Sequence, residues 1–359
     1  MKIGDLCTYA PKSSIKAGDA IIDGRYMFFT SSSDENKRYS DYQLDCEGII
    51  MGTGGNATLH YYNGKFATST DCVVLLSNET IRCKYLYYFF LSNMDILESG
   101  FKGAGLKHTN KNYINSINIS SVPSFEMQDR VIKVLDKVQS IIDKRQQQLE
   151  KLDELVKSRF VEMFGDCDLT AQKKEWKTVR EVGTVVGGST PKTSVAGYWN
   201  GEYRWLSPAE LEQDSGIIFD SVKKITKAGV ESCSLQELPV GTVILSSRAP
   251  IGKLAIAGNT FYCNQGFKNI VCSERVVPQY LYSLLLFNTE YLNSLGRGAT
   301  FKEISKSIVE NIKIPVPPIE LQEQFAAFVE QTDKSKFEIK QSLEKLELLK
   351  KALMQKYFG

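Results

Sequence analysis

The side chains best suited to chemistry sit beside glycines. In the second half of the chain they are Gly187-Gly188-Ser189-Thr190-Pro191-Lys192, Arg204-Trp205-Leu206-Ser207, Ser247-Arg248-Ala249-Pro250-Ile251-Gly252-Lys253 and Asn264-Gln265-Gly266-Phe267. In the first half they are Gly52-Thr53-Gly54-Gly55-Asn56-Ala57-Thr58. A guanidinium fork matches guanine O6 and N7, a carboxamide matches adenine N6 and N7, and hydroxyls serve base edges or phosphates. Arg248 is the leading candidate for a guanine contact and Asn56 for an adenine contact. Thr53, Gly55, Thr58, Thr190, Arg204, Ser207, Ser247 and Gln265 complete the candidate surface, glycine allowing close backbone approach. Lys107, Lys192, Lys253 and Lys302 are candidate phosphate contacts. Ordinary surface turns and solvated lysines are the competing reading. Trp199 and Trp205 read as core and loop-packing groups rather than base-stacking ones.

Catalytic chemistry is harder to find. Phe101-Lys102-Gly103-Ala104-Gly105 imitates an S-adenosylmethionine loop, but that loop joins a strand to a helix and this one follows a helix. No N-P-P-Y or D-P-P-Y occurs. Glu35 and Lys37 with Asp19 or Asp23 imitate a nuclease carboxylate set, yet Ser31 to Arg38 reads as a turn. Gly54-Gly55-Asn56 lacks the following helix of a phosphate loop. The 8 cysteines form no C-x-x-C pair and the only histidines are His60 and His108, too few for zinc-ligand spacing, so buried free thiols are expected. With 44 basic and 42 acidic residues the net charge is +2, so bulk electrostatics would not coat nucleic acid. No apolar run approaches membrane-spanning length and the start lacks the apolar core of a secretion signal, which predicts a cytoplasmic protein.

An internal repeat organises these residues. At an offset of 195, Tyr85, Leu86, Tyr87, Leu91, Asn93 and Leu97 fall on Tyr280, Leu281, Tyr282, Leu286, Asn288 and Leu292. Gly103, Ala104, Lys107, Lys111, Ile117 and Ile119 then meet Gly298, Ala299, Lys302, Lys306, Ile312 and Ile314. At an offset of 194 the pairing resumes through Pro123/Pro317 and Gln128/Gln322 to Leu155/Leu349, and both copies close on Phe-Gly. The unit is one globular part followed by one helix, used twice. The spacing of Val131, Leu135, Val138, Ile142, Leu149, Leu152, Val156 and Met163 predicts a heptad seam, interrupted by Arg145 and Arg159. Phe325, Val329, Ile339, Leu343, Leu346 and Leu353 repeat it, interrupted by Thr332, Lys336 and Lys350. Residues 123–165 carry 8 basic and 8 acidic side chains and residues 317–359 carry 7 and 7, a balance that suits protein packing rather than phosphate binding. Each globular part mixes short strands with one amphipathic helix, near 84–98 and 279–295.

The runs quoted from the second half, with Tyr198-Trp199-Asn200-Gly201, Lys224-Ile225-Thr226 and Leu238-Pro239-Val240-Gly241-Thr242, resemble the target-recognition domain of type I restriction-modification specificity subunits. The helix starts I-P-V-P-P-I-E-L-Q (314–322) and I-S-S-V-P-S-F-E-M-Q (119–128) are similar to the same family, whereas the first globular part lacks the G-x-T-P and Y-W-x-G runs. The resemblance implies an α+β chain: a first target-recognition domain at 1–122, a central helix at 123–165, a second recognition domain at 166–316 and a C-terminal helix at 317–359. It implies that the two helices form an antiparallel intramolecular coiled coil with pseudo-twofold symmetry. It implies a non-catalytic subunit that reads an asymmetric bipartite site in double-stranded DNA and docks two methyltransferase subunits, with restriction subunits completing a nuclease. Gln128, Arg145, Gln322 and Lys336 are the expected docking residues. S-adenosylmethionine, ATP and Mg would belong to the partners, none to this chain. A coiled-coil scaffold without DNA recognition is the alternative.

Overall fold

Runs rich in Val, Ile and Leu form the strands because their branched side chains pack on pleated surfaces. The computed structural model describes every residue except Ala104, Leu106, Ala249, Ala299, Thr300 and Phe301, so the repeat partners Ala104 and Ala299 and the loop residue Ala249 lie outside the described residues. The first half holds β1 (Cys7–Tyr9), β2 (Tyr26–Phe29), β3 (Arg38–Tyr39), β4 (Leu44–Gly52), β5 (Leu59–Thr68) and β6 (Cys72–Ser77). Helices α1 (Cys83–Ser92), α2 (Met94–Ser99), α3 (Lys111–Ser116) and the long α4 (Phe125–Phe164) follow. The second half opens with β7 (Lys177–Thr178), α5 (Val179–Val182), β8 (Gly183–Gly187), β9 (Trp199–Leu206), β10 (Asp214–Ile218), β11 (Lys223–Ile225) and α6 (Lys227–Ser232). It continues with β12 (Val243–Leu245), β13 (Leu254–Ala257), β14 (Tyr262–Cys263), β15 (Lys268–Cys272), α7 (Pro278–Phe287), α8 (Thr289–Ser294), α9 (Lys306–Asn311), β16 (Lys313–Ile314) and the long α10 (Ile319–Phe358). The architecture is mixed α/β with duplicated globular parts, as expected.

The chain divides into two compact units, residues 1–147 with 339–359 and residues 148–338. The duplication extends to strand order. In the first unit the sheet runs β1-β6-β4-β5-β2-β3, and in the second β8-β15-β12-β13-β10. Read in that order, the first three pairings of each sheet are antiparallel and the fourth, β5 with β2 or β13 with β10, is parallel. Five strands therefore follow one plan in both units. The first unit adds β3 at the edge, and the second adds a separate sheet, β11-β9-β14.

The expected single helix of each globular part is broken in two. Asn93 (φ −123°, ψ 42°) separates α1 from α2, and Asn288 (φ −112°, ψ 28°) separates α7 from α8. Each side-chain amide donates to the carbonyl four residues back, Phe89 or Leu284, at 2.9 Å. An asparagine that bonds local backbone in this way competes with helix continuation.

At 1.5 Å per residue each long helix extends about 60 Å. Within each unit, segments of α4 and α10 pack antiparallel. In the first, Met354 joins Val131 and Leu135 in the core and Lys350 Nζ donates to Gln139 Oε1. In the second, Phe164 meets Phe325 edge-on at 5.6 Å and Lys336 Nζ lies 2.6 Å from Asp153. Val131, Leu135, Val138, Ile142, Val156, Phe325 and Val329 are buried as the heptads require. The spacing overlooks Phe160, which is 2% exposed and stacks on Tyr280 at 5.6 Å while meeting Phe287 and Phe325 edge-on at 5.3 Å. It belongs to the seam and to the globular core together, so a heptad count along one helix gives it no row. For the same reason Met354, next to the expected Leu353, is the more buried of the two.

Where each long helix begins, a buried glutamine ties it to the globular part. Gln128 Oε1 accepts the Arg82 backbone N–H at 2.7 Å and its amide donates to Pro123 O at 2.8 Å. Gln322 Oε1 accepts Val277 N–H at 2.9 Å, and its amide donates to Pro317 O at 2.8 Å and Arg275 O at 3.2 Å. Arg82 and Val277 are the N-caps of α1 and α7, so each tie satisfies a backbone donor that has no intrahelical partner. The docking role expected for Gln128 and Gln322 is corrected here, since both are at most 1% exposed and their carboxamides are occupied within the chain.

Phe160→Ala should cost about 3–5 kcal/mol of stability, the range for removing a buried phenyl ring. Urea unfolding checks this, and an unchanged midpoint would contradict the packing. Gln322→Leu orphans the Val277 donor and should cost about 1–3 kcal/mol, read as a lowered midpoint in the same titration.

Candidate nucleic-acid interface

The candidate residues of the first half converge on the tip of the β4–β5 hairpin. The tip closes where Gly52 N–H donates to both the carbonyl and the hydroxyl of Thr58 at 3.2 Å. Thr53 donates its hydroxyl to Asp71 O at 2.9 Å. Gly55, at φ +82°, turns the chain where an L side chain would be strained, and its N–H reaches Lys107 O at 2.9 Å. Thr109 N–H donates to Thr53 O at 3.0 Å, and isolated bridges join His108 to both Gly54 and Lys102. The hairpin tip, Lys102 and the segment Lys107 to Thr109 thus form one surface, on which Asn56 and Lys107 are exposed. Asp71 braces it from behind. Burial pushes the pKa of its carboxyl up, but hydrogen bonds from Ser69, its own backbone and Ser31 outweigh that and hold it below the usual carboxylate value.

The second unit repeats this arrangement in different chemistry. The β12–β13 tip closes through Ser246 N–H to Lys253 O at 2.9 Å and Gly252 N–H to Ser246 O at 3.0 Å. Isolated bridges join Glu303 to both Arg248 and Arg297, the counterparts of the three-way contact around His108. Ser247, fully buried, donates its N–H to Gly266 O at 2.7 Å and accepts Ile304 N–H at 3.0 Å. Thr190 donates its hydroxyl to Gln265 Oε1 at 2.6 Å. This last contact requires the main chain of 188–190 to lie against 263–264. Gly188 permits it, since a Cβ there would stand 2.1 Å from Cys263 O. Arg248, Ser247, Gln265 and Thr190 are therefore brought together, with Lys192 and Lys302 exposed.

Several candidate groups are already occupied. Ser207 caps a short turn, its hydroxyl donating to Glu210 at 2.9 Å. Lys253 is turned inward, its ammonium on the carbonyls of Pro208, at 3.1 Å, and Leu211. Arg204 Nε lies 3.2 Å from Asp220 Oδ1, an ion-pair distance without hydrogen-bond alignment. The Ser221 backbone N–H, followed by Lys224 and Arg204, keeps the Asp220 carboxyl below its usual range. Trp205 is buried, meets Trp199 edge-on at 5.1 Å and donates its indole N–H to Ser189 O at 3.1 Å, so the tryptophans pack loops as expected. Of the helix residues, Lys336 is held by Asp153 and Asp333, and Arg145 is partly buried on α4.

Two members of this site have no signal in the motifs. Lys268 donates to Ser247 Oγ at 3.2 Å, to Gln265 O at 3.3 Å and to Glu303 Oε1 at 3.2 Å. Glu303 also faces Arg248 Nη1 at 3.5 Å. The repeat points to Glu303 alone, setting it against His108 at the offset of 195, whereas Lys268 falls on Val73. Among the described residues no group of three or more His, Cys, Asp or Glu is placed to hold a metal, and no helix is long and apolar enough to cross a membrane.

Comparison with known proteins agrees with this duplicated geometry. The family model of the type I restriction modification DNA specificity domain matches residues 1–154 and 173–350. The type I restriction enzyme MjaIX specificity subunit of Methanocaldococcus jannaschii is 39% identical over 184 residues, 50% of this chain and 43% of that protein. The EcoR124I/EcoR124II specificity subunit of Escherichia coli is 23% identical over 287 residues, 75% of this chain and 66% of its own length. The chain thus spans less than two thirds of either relative. The crystal structure of a type I restriction-modification S subunit from M. genitalium superposes over 100% of this chain and 95% of that one, with a TM-score of 0.66 at 14% identity, a likeness of fold. With both of its halves matched by the same model, the chain belongs to the family of the type I restriction modification DNA specificity domain.

Proposed function

We propose that this chain is the DNA sequence-specificity subunit of a type I restriction-modification complex. The observation that carries the reading is the pair of hairpin tips, each fastened by the same backbone bridges to a loop from the same place in the repeat, yet bearing different side chains. Equivalent scaffolds with unlike tips suit the reading of two unlike half-sites. The segments act as a first recognition domain (1–122), a helix (123–165), a second recognition domain (166–316) and a second helix (317–359). Asn56 with Thr53, Gly55 and Lys107 addresses one half-site. Arg248 with Thr190, Gln265, Lys192 and Lys302 addresses the other, while Ser247, fully buried, supports them from beneath rather than meeting DNA.

The chain catalyses nothing itself and binds no cofactor. Two methyltransferase subunits supply S-adenosylmethionine and the base chemistry, and restriction subunits, where present, bring ATP and Mg. Leu155, Val161, Phe337, Leu348 and Leu349 stand exposed on the long helices and give such subunits apolar surface to cover, with Arg145 and Lys336 partly buried on the same helices. The complex works in the cytoplasm, where its DNA is.

Co-expression with the methyltransferase partner, followed by single-molecule mapping of modified bases in host DNA, tests this directly. The expected result is an asymmetric bipartite adenine motif that vanishes when this chain is omitted; an active partner that leaves no such motif would favour a coiled-coil scaffold. Deleting one heptad from either long helix should change the preferred spacer or abolish the motif, and an unaltered spacer in the same assay would refute a measuring role for the helices.

A further inference from the structure

Arg248 is not a free cation on an open loop. Its guanidinium faces one oxygen of Glu303 at 3.5 Å, while the other oxygen takes Lys268 at 3.2 Å. Lys268 is only 13% exposed and is anchored to Ser247 and Gln265 as well, whereas Arg248 and Glu303 are each 37% exposed. The carboxylate is held from below by the buried ammonium and meets the guanidinium at the surface. Backbone bonds keep the two segments in register: Glu303 bridges Arg248, and Ile304 N–H reaches Ser247 O at 3.0 Å. The first unit places Gly54 and His108 at the same bridge, and Val73 takes the repeat position of Lys268, so this charge arrangement belongs to the second unit.

Two positive side chains share one negative charge here. Without the carboxylate, a guanidinium and an ammonium would stand together at the tip and attract any phosphate, whatever the sequence. With it, the guanidinium loses rotational freedom and part of its attraction for phosphate, while N–H donors remain for a base edge. Resting on the specificity function proposed above, we infer that Glu303 is a positioning residue for the second half-site. It aims Arg248 at a base edge and restrains the tip from trapping phosphates indiscriminately.

The test compares Glu303→Gln, Glu303→Asp and the unaltered full chain, each assembled with the methyltransferase partner. Two quantities are read: the modified motif in host DNA, and binding to a duplex lacking the motif across a salt series. Glu303→Gln should broaden base preference in one half-site and leave the other half-site and the spacer unchanged. It should also tighten binding to the motif-free duplex, with a salt slope steeper by about one. Glu303→Asp, which keeps the charge, should hold that binding at the unaltered level. Thermal unfolding identifies a variant that has merely lost its fold. An unchanged motif in Glu303→Gln overturns the inference, as does equal decay of both half-sites or weaker binding to the motif-free duplex. If the unaltered complex leaves no motif at all, the functional reading itself falls and takes the inference with it.

Discussion

The constraint on which the rest of the structure depends is the buried carboxamide at the foot of each long helix. Gln128 and Gln322 each answer a backbone donor at the start of a globular helix and a proline carbonyl at the start of the long one. A carboxamide offers both an acceptor and donors, so it can serve two backbones that neither helix satisfies alone. Removing either group leaves polar atoms without partners in a site that water does not reach, a cost that fixes the helix start relative to α1 or α7. From those helices the sheets are packed, and from the sheets the hairpin tips project. The orientation of each tip within its unit is therefore inherited from a contact made far from it in sequence.

Much of this is legible in the amino-acid sequence. The offsets of 195 and 194 identify the duplicated helices because Tyr85 and Tyr280 lie in the core of each unit and Asn93 and Asn288 make the same local backbone bond. The loops around Arg248 and Asn56 occupy equivalent places in the two units, as their corresponding bridges show. Other features were not legible, for physical reasons. The parallel pairing of β5 with β2 joins strands far apart in the chain, and no local pattern encodes a partner. Phe160 faces a seam and a core together, so a single period misses it. Gln128 and Gln322 have the composition of surface residues, and only the tertiary hydrogen bonds show what they do.

The candidate site divides along the same line. Residue type suggested which groups can meet a base or a phosphate, but type does not say what a group already holds. Ser207 is engaged by Glu210, and Lys253 by two carbonyls. Lys268 and Glu303 lie in stretches without a motif, yet they form the ionic centre of the second tip. The two tips thus share a backbone frame and differ in electrostatics, which agrees with a nearly neutral chain whose charge acts locally rather than in bulk.

The bridges at the tips are made by main-chain atoms, Gly54 with His108 and Arg248 with Glu303. A main-chain bond survives most replacements of the side chain it carries. Side chains at His108, Arg248 and Glu303 can therefore change without removing the main-chain bond that fastens each tip. Robustness in the backbone and variability at its edge are two aspects of one arrangement, and they leave the molecule evolvable at the surface where its two halves already differ.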